Sequence, residues 1–308
     1  MQRRQIVALS LAACAIAGAA GYWYHARGPA PPWNLVSYLP ADNASVIYID
    51  VEAMRRSGIL TLVAGSKAVE EPDYRQFVDE TKFDYRQDLD AIAAAFKDGN
   101  IYFALRGRFH WKNLKDYAAR QGGSCHGDFC VVAGSQPNRR ISFYPLQRGV
   151  LAMAISPDDF AAYQVAIQPV KLSLTPPKEP VWALIPAVAL QKLAVQKIDA
   201  LPAAAKAYVP ALQGAQQIML SIGADPASQL KFGLQVTCKD ATAASVLLTQ
   251  LEAATSALRE VLSKVKQKPD PADFSGVLVA GAFHRTERQV YGTWPIPRAF
   301  VDAIAGAY

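Results

Sequence analysis

Two cysteines stand close together in the chain, and their spacing restricts the chemistry that they can perform. Cys125 and Cys130 are separated by four residues in a glycine-rich segment that also contains His126. In an oxidising compartment, this spacing closes a small disulfide loop. A zinc site is the alternative, but the three residues are one ligand short, and Cys125 and His126 are neighbours that cannot easily face one ion. We therefore expect a disulfide.

Motifs for catalysis are sparse. Ser228 to Lys231 and Ser263 to Lys266 match the serine–lysine pattern S-x-x-K, but its companion motifs S-D-N and K-T-G are missing. The nucleophile elbow, the P-loop, the dinucleotide fingerprint and H-E-x-x-H are also missing. The four histidines are scattered singly along the chain. The sequence therefore predicts no catalytic residue, no metal ion and no cofactor.

A third cysteine and an acidic cluster have structural explanations. Cys238 ends an apolar alternation that begins at Leu230, so we expect its thiol to be buried and inert. Asp84, Asp88 and Asp90 offer oxygen ligands for calcium, but they lack the EF-hand spacing and its glycine. Carboxylates also cap the first turn of a helix. We therefore predict that these aspartates begin a helix over residues 91–97.

Charged residues are distributed unevenly along the chain. Residues 70–98 carry nine acidic and four basic side chains, whereas residues 106–148 carry eight basic and two acidic ones. If the basic side chains share a face, it would suit anionic lipid head groups or an acidic envelope protein. Otherwise the blocks are ordinary solvated surfaces. The candidate basic face consists of Arg106, Arg108, Lys112, Lys115, Arg120, Arg139 and Arg140.

The overall composition indicates a folded body and no nucleic-acid partner. Hydrophobic residues make up 51% and charged residues 19% of the chain, which is enough apolar surface for a sizeable core. Three of the 32 basic residues lie in the first 27 positions, so 29 basic residues face 26 acidic ones in the body. This small excess is too weak for nucleic-acid binding.

The N-terminus resembles a segment for protein export. Arg3 and Arg4 precede an uncharged run over residues 6–24, which is long enough to span about 28 Å as a helix. The run could remain as a membrane anchor, be cleaved after residues 17–19, or be lipidated at Cys14, where Leu11-Ala-Ala-Cys14 resembles a bacterial lipobox. All three alternatives place the body outside the cytoplasm, at the bacterial inner membrane or in the periplasm.

Hydrophobic periodicity predicts the elements of the body. Residues 28–36 are rich in proline and predict an extended spacer. Helices are predicted over residues 52–64 and 111–120, and strands over residues 100–106 and 276–283. Hairpins followed by helices recur at 141–166, 217–265 and 276–307.

This recurrence predicts an α+β fold of two lobes. Antiparallel strands with helices on one face form each lobe, in a vaguely ferredoxin-like arrangement. The predicted lobes cover residues 37–168 and 181–308, and a proline-rich linker over residues 169–180 joins them.

Short motifs carry a resemblance to a known group. Tyr38-Leu-Pro-Ala-Asp42 is followed by Val46-Ile-Tyr-Ile-Asp50, and Phe83-Asp84 and Gly107-Arg-Phe109 come later. The chain resembles uncharacterised bacterial exported proteins whose mature part opens with Leu-Pro-Ala-Asp and an alternating strand. The resemblance implies an extracytoplasmic location and this architecture, but no activity.

Three classes of function remain. The first is a non-enzymatic binding or scaffolding module that is held at the membrane by its N-terminus. The second is a periplasmic hydrolase whose site is assembled from distant residues, which predicts a pocket with convergent polar groups. The third is a carrier of apolar ligands, which predicts a dry cavity between sheet and helices.

Overall fold

One antiparallel sheet organises the part of the chain that the structure describes. The structure is a computed structural model, and it describes residues 32–64, 72–166, 175–190, 208, 212, 214–224, 229–264 and 268–306. The predicted leader, residues 1–27 with Cys14, lies outside these ranges. Among the described helices, none is long and apolar enough to cross a membrane.

The sheet contains twelve strands within the described residues, and neighbouring strands are antiparallel throughout. Their order across the sheet is β11-β12-β10-β9-β8-β1-β2-β3-β7-β6-β5-β4. The strands are β1 Ser45–Asp50, β2 Leu89–Lys97, β3 Asn100–Gly107, β4 Ser124–His126, β5 Phe129–Ala133, β6 Arg140–Gln147, β7 Val150–Ser156, β8 Val181–Pro186, β9 Gln217–Ala224, β10 Leu230–Thr237, β11 Ala282–Thr286 and β12 Gln289–Pro295.

The α+β class with antiparallel strands is therefore confirmed, but the sheet is single. Strands β1–β7 form one half and β8–β12 the other, and the halves join where β1 pairs with β8 from Val46↔Leu184 to Ile49↔Val181. Both joining strands are continuously apolar in the paired region, so pairing satisfies their backbone groups and continues both buried faces. The two predicted segments thus share one sheet instead of building two.

Helices of 4 to 24 residues connect the strands. The α-helices whose full extent the structure describes are α1 Val51–Arg56, α2 Ile59–Ala64, α3 Pro72–Thr81, α4 Tyr85–Asp88, α5 Trp111–Arg120, α6 Ala241–Lys264, α7 Phe274–Leu278 and α8 Arg298–Gly306. Within the described ranges, 3₁₀-helices span Pro32–Tyr38 and Ala161–Gln164.

The α-helices pack on one side of the sheet, which we call the front face. Cross-strand partners point to the same side, so Ile49, Ile92 and Val181 all lie on it. In the second half this face forms a closed core in which Leu251 of α6 is fully buried together with Val236 of β10. The buried residues of the long helix α6 lie on one stripe, and this stripe covers the strands.

The opposite side, or back face, is lined by very small residues in the first half. Ala93, Ala95, Ala104, Ala152 and Ala154 are completely buried there. Their methyl groups leave room for the 3₁₀-helix Ala161–Gln164 to lie close to the strands, and its Ala162 N–H donates to Ser142 Oγ at 3.1 Å. The prediction of helices on one face therefore holds for the α-helices and is wrong for this 3₁₀ segment.

The predicted helix over residues 91–97 is wrong, because these residues belong to β2. Alanine favours helices when they are isolated, but β2 lies between β1 and β3, where only small side chains fit under the back-face layer. The predicted helix-capping role of Asp84 is confirmed, but the helix that it caps is shorter and precedes β2. Its carboxylate accepts from the backbone of Arg86 at the start of the one-turn helix α4.

Three further elements differ from the prediction. A 3₁₀-helix begins at Pro32 inside the predicted extended spacer, since the φ angle of proline suits both conformations. The predicted helix over residues 52–64 breaks at Gly58, which has φ +77°. The predicted strand over residues 276–283 begins as α7, where Asp273 caps the first turn.

Candidate apolar binding site

An apolar cavity of about 440 Å³ lies between the front face of the first half and the helices α3 and α5. Sixteen residues line it, and six of them are aromatic. Gln121, at its margin, is the one lining residue with an amide, and Tyr117 supplies the one hydroxyl. The cavity can therefore offer dispersion contacts and aromatic faces, and it offers no nucleophile or general acid–base pair.

Five strands, β2, β3, β5, β6 and β7, form the floor of the cavity. Cross-strand pairing places Ile92 opposite Leu105, and Leu105 opposite Leu151. In the next row of cross-strand pairs, Phe103 lies opposite Met153, and Met153 lies opposite Phe143. Although these strands are central, Ile92, Leu105, Phe103, Met153 and Phe143 remain only partly buried.

Aromatic rings from α3, α5 and the flanking loops form the walls. The rings of Phe77 and Tyr117 meet edge to face with centroids 5.2 Å apart. Phe83 and Phe109 stack at 5.1 Å, with their planes 16° apart. Such ring pairs add about 0.5–1.5 kcal/mol beyond burial, so the walls hold their shape without an occupant.

The β4–β5 hairpin holds one side of α5 in place. Asp128, at the tip of this hairpin, accepts a hydrogen bond from Trp111 Nε1 at 2.9 Å and pairs with Lys115 Nζ at 3.3 Å. The hydrogen bond from Trp111, followed by that from Lys115, lowers the pKa of the Asp128 carboxyl group. A Cβ atom on Gly123 would collide with the backbone of Val131, so glycine allows the chain to turn directly from α5 into β4.

Helix α3 holds the other side of α5. Arg120 Nε lies 2.9 Å from Glu80 Oε2, and Asn113 Nδ2 donates to Thr81 O at 3.2 Å. The hydrogen bonds from Gln76 and Arg120 lower the pKa of Glu80. The cavity therefore has a roof, α5, that is fastened at both of its margins.

A second, larger cavity of about 580 Å³ lies at the ends of β1, β2, β3 and β8. Its lining mixes the apolar Phe96 and Val188 with the polar Asn43, Lys97 and Asp98. Charged groups in its wall favour water over an apolar occupant. The smaller cavity is the better candidate site because no charged residue lines it.

The structure confirms the predicted disulfide. Cys125 and Cys130 are directly opposite each other in β4 and β5, and their sulfur atoms are bonded at 2.06 Å. Cys238 is free and buried, as predicted, and burial raises the pKa of its thiol. Within the described ranges, no cluster of three or more His, Cys, Asp or Glu residues could hold a metal ion.

The basic residues predicted as one face are mostly paired with acidic side chains. Arg108 pairs with Asp88 at 3.0 Å, which, like the Arg120–Glu80 pair, joins the basic block of the sequence to the acidic one. The structure brings Lys112, Lys115 and Arg120 together on α5, where Lys112 pairs with Asp116 at 2.9 Å. Arg139 and Arg140 lie apart from them at the β5–β6 turn, and Arg140 pairs with Asp159 at 2.8 Å. The side chain of Arg106 is half-buried and points to the back face, since it alternates with Leu105.

Sequence reasoning missed the residues of the cavity. The alternation of Phe103 with Leu105 and of Leu151 with Met153 was a signal, because it marks one apolar face. It does not reveal whether that face is closed by a helix, as in the second half, or left with space above it.

Comparisons with known proteins bear on the fold alone. No known family model and no curated protein matches the chain. The fold is similar to the crystal structure of TP0453 in its crystal form III, with a TM-score of 0.50. The similarity covers 90% of this chain and 98% of TP0453, at 10% sequence identity.

Proposed function

We propose that this protein binds an apolar ligand in the cavity beneath α5, as a non-enzymatic binding module. The lining, which is apolar except for the Gln121 amide and the Tyr117 hydroxyl, carries the proposal. A protein interior normally closes such surfaces, whereas here large side chains such as Phe103 and Met153 stay accessible in central strands.

The size of the cavity limits the ligand. Its volume of about 440 Å³ falls in the range of small-molecule sites, roughly 300–1,000 Å³. It is almost three times the cavity of roughly 150 Å³ that holds benzene in an engineered protein. The occupant is therefore a hydrocarbon chain or a small ring system, held by contacts with aromatic rings.

The location proposed for the module is outside the cytoplasm, with the N-terminus holding it at the bacterial inner membrane. The Cys125–Cys130 disulfide is consistent with an oxidising compartment. Free, alkylatable Cys125 and Cys130 in protein taken from cell envelopes would contradict this location. The two halves of the sheet would act as lobes, with residues 37–168 holding the ligand and residues 181–308 forming a closed support. An envelope partner or anionic lipid head groups at the basic residues of α5 remain part of the proposal.

A fluorescent apolar probe tests the proposal. We expect 1-N-phenylnaphthylamine to bind the purified protein saturably, with its emission increased and shifted to shorter wavelengths. Leu114 of α5 and Met153 of β7 both line the cavity. Leu114→Gln and Met153→Gln should each weaken probe binding about tenfold, because an amide in an apolar site costs about 1–2 kcal/mol.

The matched control is Val261→Gln, since Val261 lies on α6 and is 58% exposed. This variant should bind the probe like the parent protein. Thermal unfolding of all three variants establishes that they are folded. An absence of saturable binding, or equal affinity in all variants, would reject the proposal.

A further inference from the structure

Two aromatic side chains are largely exposed on the surface, whereas side chains of this type are usually mostly buried. Phe160 is 63% exposed and Tyr163 is 57% exposed. Both belong to the segment that follows β7, at the N-cap and inside the 3₁₀-helix Ala161–Gln164. They are distinct from the residues that line the apolar cavity.

The 3₁₀ conformation places these two rings side by side. A 3₁₀-helix has three residues per turn and rises about 2.0 Å per residue, so residues i and i+3 are aligned about 6 Å apart. The observed ring centroids of Phe160 and Tyr163 are 6.5 Å apart, and their planes differ by 4°. Local backbone geometry therefore aligns the rings.

A third ring, that of Phe129, packs against both exposed rings. The centroid of Phe129 lies 4.3 Å from that of Tyr163 and 5.8 Å from that of Phe160, with planes tilted by 21° and 24°. If Phe129 were sandwiched between them, two stacking separations of about 3.5 Å would put Phe160 and Tyr163 about 7 Å apart along the ring normal alone. The observed 6.5 Å is smaller. A sandwich is therefore excluded, and both rings contact Phe129 while more than half of each side chain stays exposed to solvent.

Buried contacts fix this aromatic platform, by which we mean Phe160 and Tyr163 together. Ala161 and Ala162 are buried, so the helix cannot turn its aromatic residues inward. The N–H of Ala162 donates to the buried Ser142 Oγ, and the hydroxyl of Tyr144 donates to Val165 O at 3.0 Å. The platform is thus preorganised, which lowers the entropic cost of binding.

A polar cleft of about 780 Å³ begins at one edge of the platform. Phe160 itself lines the cleft, together with planar polar side chains from the β5–β6 turn and the loop after β7. Arg140 and Asp159 are paired at 2.8 Å, so each holds the other in position. Asp158 accepts a hydrogen bond from the Phe160 N–H at 2.9 Å, which orients the residue that carries the ring.

The geometry points to a saccharide-binding site, in which the platform receives the C–H face of a sugar ring and the cleft receives its hydroxyl groups. Aromatic faces are electron-rich and attract the polarised C–H groups of a pyranose. Carboxylate and guanidinium groups make strong, directional hydrogen bonds, which suit vicinal hydroxyls.

Charge distinguishes this ligand from others that stack on aromatic rings. Asp158 and Asp159 lie next to Phe160 in the cleft, and the guanidinium of Arg140 is already paired with Asp159. Single-stranded nucleic acid needs unpaired cations for its phosphates, and anionic lipid surfaces need the same. Arg139 also lines the cleft, so two arginines balance two aspartates and the cleft offers no net positive charge to a polyanion. Uncharged hydroxyl groups can hydrogen-bond to both kinds of side chain.

Titration with soluble oligosaccharides tests the inference. N-acetylchitohexaose and cellohexaose are added to the intact protein, and binding is measured by calorimetry. We expect saturable binding of one of them. Phe160→Ala and Tyr163→Ala should each weaken it about tenfold, as the loss of a central aromatic contact does. Phe160→Trp, which keeps a flat aromatic face, should bind like the parent protein.

Phe274→Ala is the matched control, because Phe274 is an exposed aromatic residue on α7 in the other half of the sheet. It should leave saccharide binding unchanged. The inference is overturned if neither oligosaccharide binds at millimolar concentration, or if the platform variants bind as tightly as the control. Binding of oligothymidylate or of anionic vesicles that is lost in the platform variants, without saccharide binding, would overturn it as well. Probe binding in the apolar cavity should persist in Phe160→Ala, so the two proposals can fail separately.

Discussion

At the scale of single residues, the burial of one tyrosine hydroxyl group lowers the stability of the fold instead of raising it. Tyr48 is 3% exposed on the back face of β1 and stacks with Trp182 at a centroid distance of 5.5 Å. Within the described part of the chain, its hydroxyl finds no hydrogen-bond partner. Burial raises the pKa of Tyr48, with smaller contributions from nearby acidic groups. A buried, unpaired polar group costs stability.

Tyr48→Phe should therefore raise the free energy of unfolding at neutral pH by about 1 kcal/mol. It should also reduce the loss of stability above pH 10. The folded-state pKa of Tyr48 is raised, so only the unfolded chain ionises there, and this favours unfolding as the pH rises. Urea unfolding at pH 7 and pH 10.5 measures both effects.

The comparison variant is Tyr144→Phe, which removes the hydroxyl that donates to Val165 O. This variant should lose about 1 kcal/mol at neutral pH, because a satisfied hydrogen bond disappears. Equal destabilisation by both substitutions would show that the Tyr48 hydroxyl does have a partner.

At the scale of elements, one carboxylate in the β4–β5 hairpin, that of Asp128, holds one of the two sides of α5. Asp128→Ala removes both the Trp111 and the Lys115 contacts at once. We expect the amides of residues 111–120 to exchange with deuterium about tenfold faster in this variant, since the helix opens more readily. Hydrogen-exchange mass spectrometry of peptides from α5 measures this.

Lys112→Ala is the control for α5, because Lys112 pairs only with Asp116 within the same helix in the contacts observed here. An exposed pair of this kind contributes little. Its exchange rates should stay near those of the parent protein. If the two variants exchanged alike, the hairpin would not be what holds the roof of the cavity.

The same elements show what the sequence can predict. The range Trp111–Arg120 was predicted as a helix because its own residues favour one, and α5 has these bounds. Ala93 and Ala95 were assigned to a helix for the same local reason, yet they lie in β2. Their conformation is determined by packing against the 3₁₀-helix Ala161–Gln164 on the back face, and this helix is distant from them in sequence.

The candidate sites follow the same rule. The disulfide could be predicted because Cys125 and Cys130 are neighbours in sequence. The platform could not, because Phe129 reaches Tyr163 only after β5, β6 and β7 have paired. The pairing of Arg120 with Glu80 likewise joins residues that the sequence keeps in separate charge blocks.

At the scale of the whole molecule, one sheet should make the two halves unfold together. Leu251 is fully buried in the core of the second half, where its truncation to alanine costs about 2–5 kcal/mol. If β1 and β8 couple the halves, Leu251→Ala must lower the urea midpoint measured at β3 as much as that at β10. Pulsed hydrogen exchange followed by peptide mass spectrometry reports the two strands separately.

Val261→Ala, an exposed substitution on the same helix, should leave both midpoints nearly unchanged. A parent protein that loses β10 at a lower urea concentration than β3 would show instead that the halves are independent folding units.

The ends of the sheet have a consequence for self-association. An open sheet presents free N–H and C=O groups along its two outermost strands, where a second copy could continue the ladder. Here one outermost strand, β4, is only three residues long, and the other, β11, exposes the side chains of His284 and Arg285. A strand of three residues, such as β4, offers too few backbone groups for stable pairing. If β11 paired with β11 of a second copy, the two positively charged Arg285 side chains would be brought close together. Twelve strands thus end in two edges that resist growth into fibrils.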